Sequence, residues 1–130
     1  MATIQPYCAK EIFDPPNYTQ AIKVTGVQAI LFISGQIASD EKGRPTHRGD
    51  FVGQARSTLH AIKAQVEAGG GTLANVVKLT TYMTDVRYRA DLNQVREEFF
   101  GKKIPTSTLV EVSSLAHPDL LIEVEAIAVL

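Results

Sequence analysis

Two carboxylates, Glu123 and Glu125, stand two residues apart in the closing segment LLIEVEAIAV, and a third, Glu111, lies in the apolar segment before it. Acids held among apolar side chains suit proton transfer. The segment alternates with a period of two, as a half-buried strand does. Ile122, Val124, Ala126 and Ala128 share one face; Leu121, Glu123, Glu125, Ile127 and Val129 share the other. Two acids among three large apolar residues make a poor solvent face, so they either take exposed edge or rim positions or point into a site. Thr106, Ser107 and Thr108 follow Pro105 at the start of the preceding strand. Hydroxyls there either satisfy local backbone groups or floor a small polar pocket able to hold a carboxylate or a water.

Other chemistries find less support. His47, His60 and His117 show no ligand spacing, and Cys8 is the single cysteine, so neither a metal site nor an internal disulfide is expected. The run GGG at 69–71 follows an amphipathic stretch rather than opening one, so it reads as a helix stop and not as a phosphate cradle. With 45% hydrophobic and 21% charged residues and a formal charge of −1, the 130-residue chain reads as one globular domain, residues 1–130. The densest basic cluster is GKK at 101–103, too little for a nucleic-acid surface. The longest apolar run, AILFI, is too short to cross a membrane, and the first residues do not resemble a signal peptide. A cytoplasmic protein is expected.

The elements that must position the acids follow from periodicity. Residues 1–16, with Pro6, Pro15 and Pro16, form an arm that reaches a short extended segment. YTQAIKVTG and AILFISGQI are β-rich runs around the turn-prone TGVQ, and the reading is an antiparallel pair. From Asp50, a fair N-cap, the apolar residues Phe51, Ala55, Leu59, Ile62 and Val66 recur at helical spacing for about five turns. NVVKLTTYMTD at 75–85 is a strand; Tyr88, Leu92, Val95 and Phe99 mark a shorter helix closed by Gly101; strands near 106–112 and 120–129 finish the chain. The order β-β-β-α-β-α-β-β predicts an α+β sandwich of one sheet with two helices on one face. The other sheet face, with the acids, then needs a cover.

Four segments in this order, LFISGQI at 31–37, VVKLTTYMTDV at 76–86, LNQVREEFF at 92–100 and IPTSTLVEVSSLAHPDLLIEVEAIAVL at 104–130, resemble the reactive-intermediate deaminase (RidA, YjgF-like) family. The resemblance runs from about Tyr18 to the C-terminus. It implies a chorismate-mutase-like fold and a homotrimer whose sheets surround a central barrel-like core, with small-molecule pockets between neighbouring subunits. Active members hydrolyse 2-aminoacrylate and related enamines or imines to 2-keto acids and ammonia, with no cofactor and no metal. The enamine is protonated and water then attacks the imine carbon. Carried over by position, Tyr18 falls at the aromatic pocket mouth, Ser34 and Gly35 in the lining turn, Asn93 at the helix asparagine and Glu123 at the glutamate that holds the attacking water.

One part of the pattern differs. The active branch reads Pro-Ala-Arg-Ser after the second helix, and its arginine clamps the substrate carboxylate. Here the same place reads Pro105-Thr106-Ser107-Thr108, so Ser107 stands at the clamp position and Ser107, Thr108 and Leu109 form that wall. A lost bidentate pair removes about 3–6 kcal/mol of recognition, on the order of 10²–10⁴ in transition-state binding. Arg89, Arg96, Lys102 and Lys103 are the cations that could take over the role. The resemblance thus implies an enamine or imine hydrolase for a non-standard substrate, such as an aminomuconate-like ring-cleavage product. The alternative is a trimer that binds a small molecule or a partner without catalysis.

Overall fold

The computed structural model describes residues 2–130. Its strands are β1 (Thr3–Tyr7), β2 (Tyr18–Thr19), β3 (Ala21–Thr25), β4 (Ile30–Gln36), β5 (Val76–Met83), β6 (Ile104–Glu111) and β7 (Ile122–Val129), and its α-helices are α1 (Phe51–Ala68) and α2 (Arg89–Phe100). One five-stranded mixed sheet has the order β2-β6-β5-β7-β4, and β1 pairs with β3 in a separate two-stranded sheet. Helix α2 carries the chain from β5 to the parallel neighbour β6, and β7 then inserts between β4 and β5, antiparallel to both. This is the α+β architecture expected, with the small β1–β3 sheet added.

The antiparallel pair expected between the runs 18–26 and 29–37 is not made. The turn at 26–29 does not double the chain back; its backbone is tied to the C-terminus, with Gln28 N–H donating to the Leu130 carbonyl at 2.7 Å and Leu130 N–H donating to the Ala29 carbonyl at 2.9 Å. Strand β4 therefore takes β7 as its partner, pairing Leu31 with Ala128 and Ile33 with Ala126, while β3 pairs with the N-terminal arm. The gain is apolar: Leu31 and Ile33 pack against the main core, which a hairpin with β3 would not supply.

Helix α1 starts where Asp50 accepts a hydrogen bond from Gly53 N–H at 3.0 Å and stops at Gly69–Gly71, where Gly70 takes a φ of 97° that favours glycine. Its buried stripe of Phe51, Ala55, Leu59, Ile62 and Val66 packs with Leu92 and Val95 of α2 against Leu79, Met83, Val124 and Ala126 of the sheet. Two polar residues, Gln54 and Thr58, are buried on the same face. Gln54, wholly buried, donates to the Thr46 and Asp119 carbonyls at 3.2 and 2.8 Å and accepts from Leu121 N–H at 2.8 Å. It fastens the loop that feeds β7 to the helix. Gln54→Leu removes the partner of two partly buried carbonyls and one N–H, and is expected to cost about 1–3 kcal/mol, read as a lower urea midpoint with unchanged slope.

The register assigns every side chain of the central strands to a face. Leu79 pairs with both Ser107 and Ala126, and Thr81 with both Leu109 and Val124, so Ser107 and Leu109 share the helix-covered face with the core. Tyr82 pairs with Val110 and Glu123, and Thr80 with Thr108 and Glu125, so both glutamates and Thr108 lie on the opposite face. Among the described residues no helix covers that face. It exposes Phe32 at 78%, Ile30 at 51% and Val110 at 40% of their surfaces.

Candidate functional site

On the helix-covered side, a cleft of about 460 Å³ opens between the arm, α2 and β6. Its size suits a small molecule. Pro15 and Pro16 deliver Asn17 and Tyr18 to one wall; Arg89, Asn93 and Arg96 project from α2; Ser107 and Leu109 form the β6 wall; Phe13 and Val86 stand at the rim. Spacing on α2 explains the middle group, since residues three and four apart occupy one helix face. Four residues singled out in the sequence, Tyr18, Asn93, Ser107 and Leu109, therefore meet in one cleft.

Ser34, Gly35, Thr108 and Glu123 do not join them. Glu123 lies on the opposite sheet face with its side chain laid across Gly35, so closely that a Cβ there would collide with the carboxylate. Only glycine permits this approach. Ser34, exposed on β4, borders a shallow groove with Phe32 and Gln36. Thr108 is exposed on the side of Glu125. One protomer thus carries a cleft on one sheet face and an acid on the other.

The two glutamates, indistinguishable by period, differ in their partners. Tyr82 Oη donates to Glu125 at 2.6 Å, and this bond, with partial burial, raises the Tyr82 hydroxyl above the usual tyrosine range. Glu125 is engaged. The Glu123 carboxylate has no hydrogen-bond partner among the described residues and remains available to a water or a ligand.

Within the cleft the unusual residue is Arg96, only 5% exposed. Its guanidinium donates to Asn93 Oδ1 at 2.7 Å and to Ser107 Oγ at 3.1 Å, both neutral acceptors, while its Nε is buried with no partner among the described residues. Burial, together with the neighbouring Arg89, pulls it down to about 10, which leaves it charged at neutral pH. Among the described residues no acidic side chain lines the cleft. Of the other cations considered, Lys103 is taken by Asp14 at 3.0 Å and Lys102 borders a smaller neighbouring hollow. Among the described residues no group of three or more His, Cys, Asp or Glu is placed to hold a metal, and no helix is long and apolar enough to cross a membrane.

The family model described as endoribonuclease L-PSP matches residues 10–130. The chain belongs to the RidA/YjgF family. Similar curated proteins include a RutC family protein of Pyrococcus horikoshii, 45% identical over 111 residues that cover 85% of each chain. Another is the 3-aminoacrylate deaminase RutC of Acinetobacter baylyi, 32% identical over 114 residues covering 88% of this chain and 90% of that one. Among solved structures, a conserved Rid family protein of unknown function from Yersinia pestis superposes with a TM-score of 0.86 at 26% identity over 98% of both chains. The one of these relatives named as an enzyme, the Acinetobacter protein, supports a deaminase role at the level of the family.

Sequence reasoning ranks Arg96 only as one of four substitute cations and passes over Asn17 and Phe13. A signal for Arg96 is present: with Leu92, Val95 and Phe99 it completes an i, i+3, i+4, i+7 stripe, so an arginine occupies the inner face of the RidA second helix.

Proposed function

We propose that this RidA-family chain is a cofactor-free hydrolase of an enamine or imine, with its active site assembled between copies of a homotrimer. The observation that carries the reading is the division of the site. The cleft with Tyr18, Asn93 and Ser107 and the free carboxylate of Glu123 occupy opposite faces of one sheet, and a second copy is what can bring them together. The exposed Phe32, Ile30 and Val110 on the glutamate face, and the outer edge of β4, unpaired among the described residues, are the surfaces such a copy covers.

In the assembled site the cleft holds and orients the unsaturated substrate. Protonation turns the enamine into an imine, and Glu123 of the neighbouring copy aligns a water on the imine carbon and takes its proton as the C–O bond forms. Glu123 returns that proton to the nitrogen, and collapse of the carbinolamine, with its O–H proton passing to the amine, releases ammonia and leaves the keto product. Among the described residues no histidine lines the cleft, so the ribonuclease sense of the family description finds no imidazole base there.

The test is ammonia release from imines generated in solution, comparing 2-iminopropionate, 3-aminoacrylate and an aminomuconate-like dicarboxylate, alongside sedimentation of the same sample. Turnover of at least one by a trimeric species supports the reading. A stable monomer, or a trimer that binds these compounds and turns over none, replaces it with the non-catalytic binder.

A further inference from the structure

Arg96 has the surroundings of a residue waiting for an anion. A guanidinium this deeply buried is costly unless its charge is compensated, and its two partners, Asn93 and Ser107, bring no charge. Its Nε is unpartnered, and among the described residues the only other charged residue lining the cleft is Arg89, a second cation. A compact anion in the cleft would meet the positive field of both arginines and compensate the buried charge of Arg96.

We propose that Arg96 is the residue that binds the carboxylate of the ligand in this chain, so that the clamp reaches the cleft from helix α2 instead of from strand β6. The proposal deepens the reading above and rests on it for the ligand class, a carboxylated enamine or imine. Ser107 then has a positioning role. Its short side chain leaves space for the long one of Arg96, and its hydroxyl holds the guanidinium in place at 3.1 Å. A strand arginine at position 107 and a helix arginine at position 96 are alternatives competing for the same volume, and this chain carries the second.

That exclusion makes the proposal testable by a swap. Pyruvate, the simplest 2-keto acid, serves as the binding probe, with pyruvamide as its uncharged counterpart, each titrated into the intact protein and followed by amide chemical shifts and calorimetry. The wild type is expected to bind pyruvate and to prefer it over pyruvamide by about 10–100-fold, with a preference that shrinks in high salt. Arg96→Met should abolish that preference and raise Tm by about 3–6 °C, because a buried unpaired charge is replaced by an apolar side chain of similar length. A purely structural arginine would lower Tm instead. Ser107→Arg alone should not strengthen binding, since it sets a second guanidinium against the first. Arg96→Ser with Ser107→Arg should recover the preference.

Binding of pyruvate that survives Arg96→Met, or absence of pyruvate binding to the wild type, overturns the proposal. So does loss of the trimer in Arg96→Met with the cleft still selecting carboxylate, which would identify Arg96 as one side of an ion pair between subunits. The hydrolase reading fails separately: Arg96-dependent pyruvate binding without turnover of any imine leaves the clamp in place and removes the reaction.

Discussion

Phe32→Asp is expected to yield a folded monomer with no measurable hydrolysis. Phe32 lies on edge strand β4 opposite Ile127, with 78% of its surface open to solvent in the single chain. It contributes nothing to the helix-side core, so the fold should tolerate its loss. Buried in the proposed trimer, a phenylalanine contributes roughly 1.5–3 kcal/mol, and an aspartate there would place an uncompensated carboxylate beside Glu123 and Glu125 of the same face. The penalty recurs at each of three symmetry-related positions. Sedimentation should report the monomer, circular dichroism a native spectrum, and the imine assay a fall to background, because the cleft and Glu123 sit on opposite faces of one sheet. An active monomer would show that one chain can close the site alone.

The legibility of this chain in its sequence divides along the same lines. The helices could be read because α1 and α2 present apolar residues at helical spacing between plain stop signals, and β7 because its period of two runs unbroken from Ile122 to Ala128. Strand pairing could not be read. Whether β4 joins β3 or β7 depends on a backbone link between Gln28 and Leu130, separated by nearly the whole chain, and local turn propensity at TGVQ pointed the other way. In the site, Glu123 stood out because an acid on an apolar face is a local anomaly. Its difference from Glu125 did not, since the Tyr82 hydroxyl that engages Glu125 comes from another strand. Arg96 and Gln54 share one cause of neglect. Both are polar residues inside a largely apolar helical stripe, where the pattern records them as imperfections, although Gln54 fastens the loop before β7 and Arg96 charges the cleft.

Glu123→Gln is expected to lower kcat for imine hydrolysis by about 10²–10⁴ while leaving KM within a few-fold of the wild-type value. The amide has the size of the carboxylate and can lie over Gly35 as the acid does, so packing is kept while the capacity to take a proton from water is lost. Substrate affinity should change little, because the residues of the cleft occupy the other half of the site. Glu125→Gln supplies the contrast. It removes a carboxylate two residues away on the same face but alters chiefly the bond with Tyr82, and is expected to change kcat by less than about tenfold. Gly35→Ala should fall between them, since the added methyl displaces the Glu123 carboxylate without removing it. A loss of rate that is largest for Glu123→Gln, smaller for Gly35→Ala and smallest for Glu125→Gln would assign the water to Glu123 and its placement to Gly35. Equal losses for the two glutamine variants would make the pair act as one unit, and a Glu123→Gln protein with wild-type turnover would move the base elsewhere in the cleft.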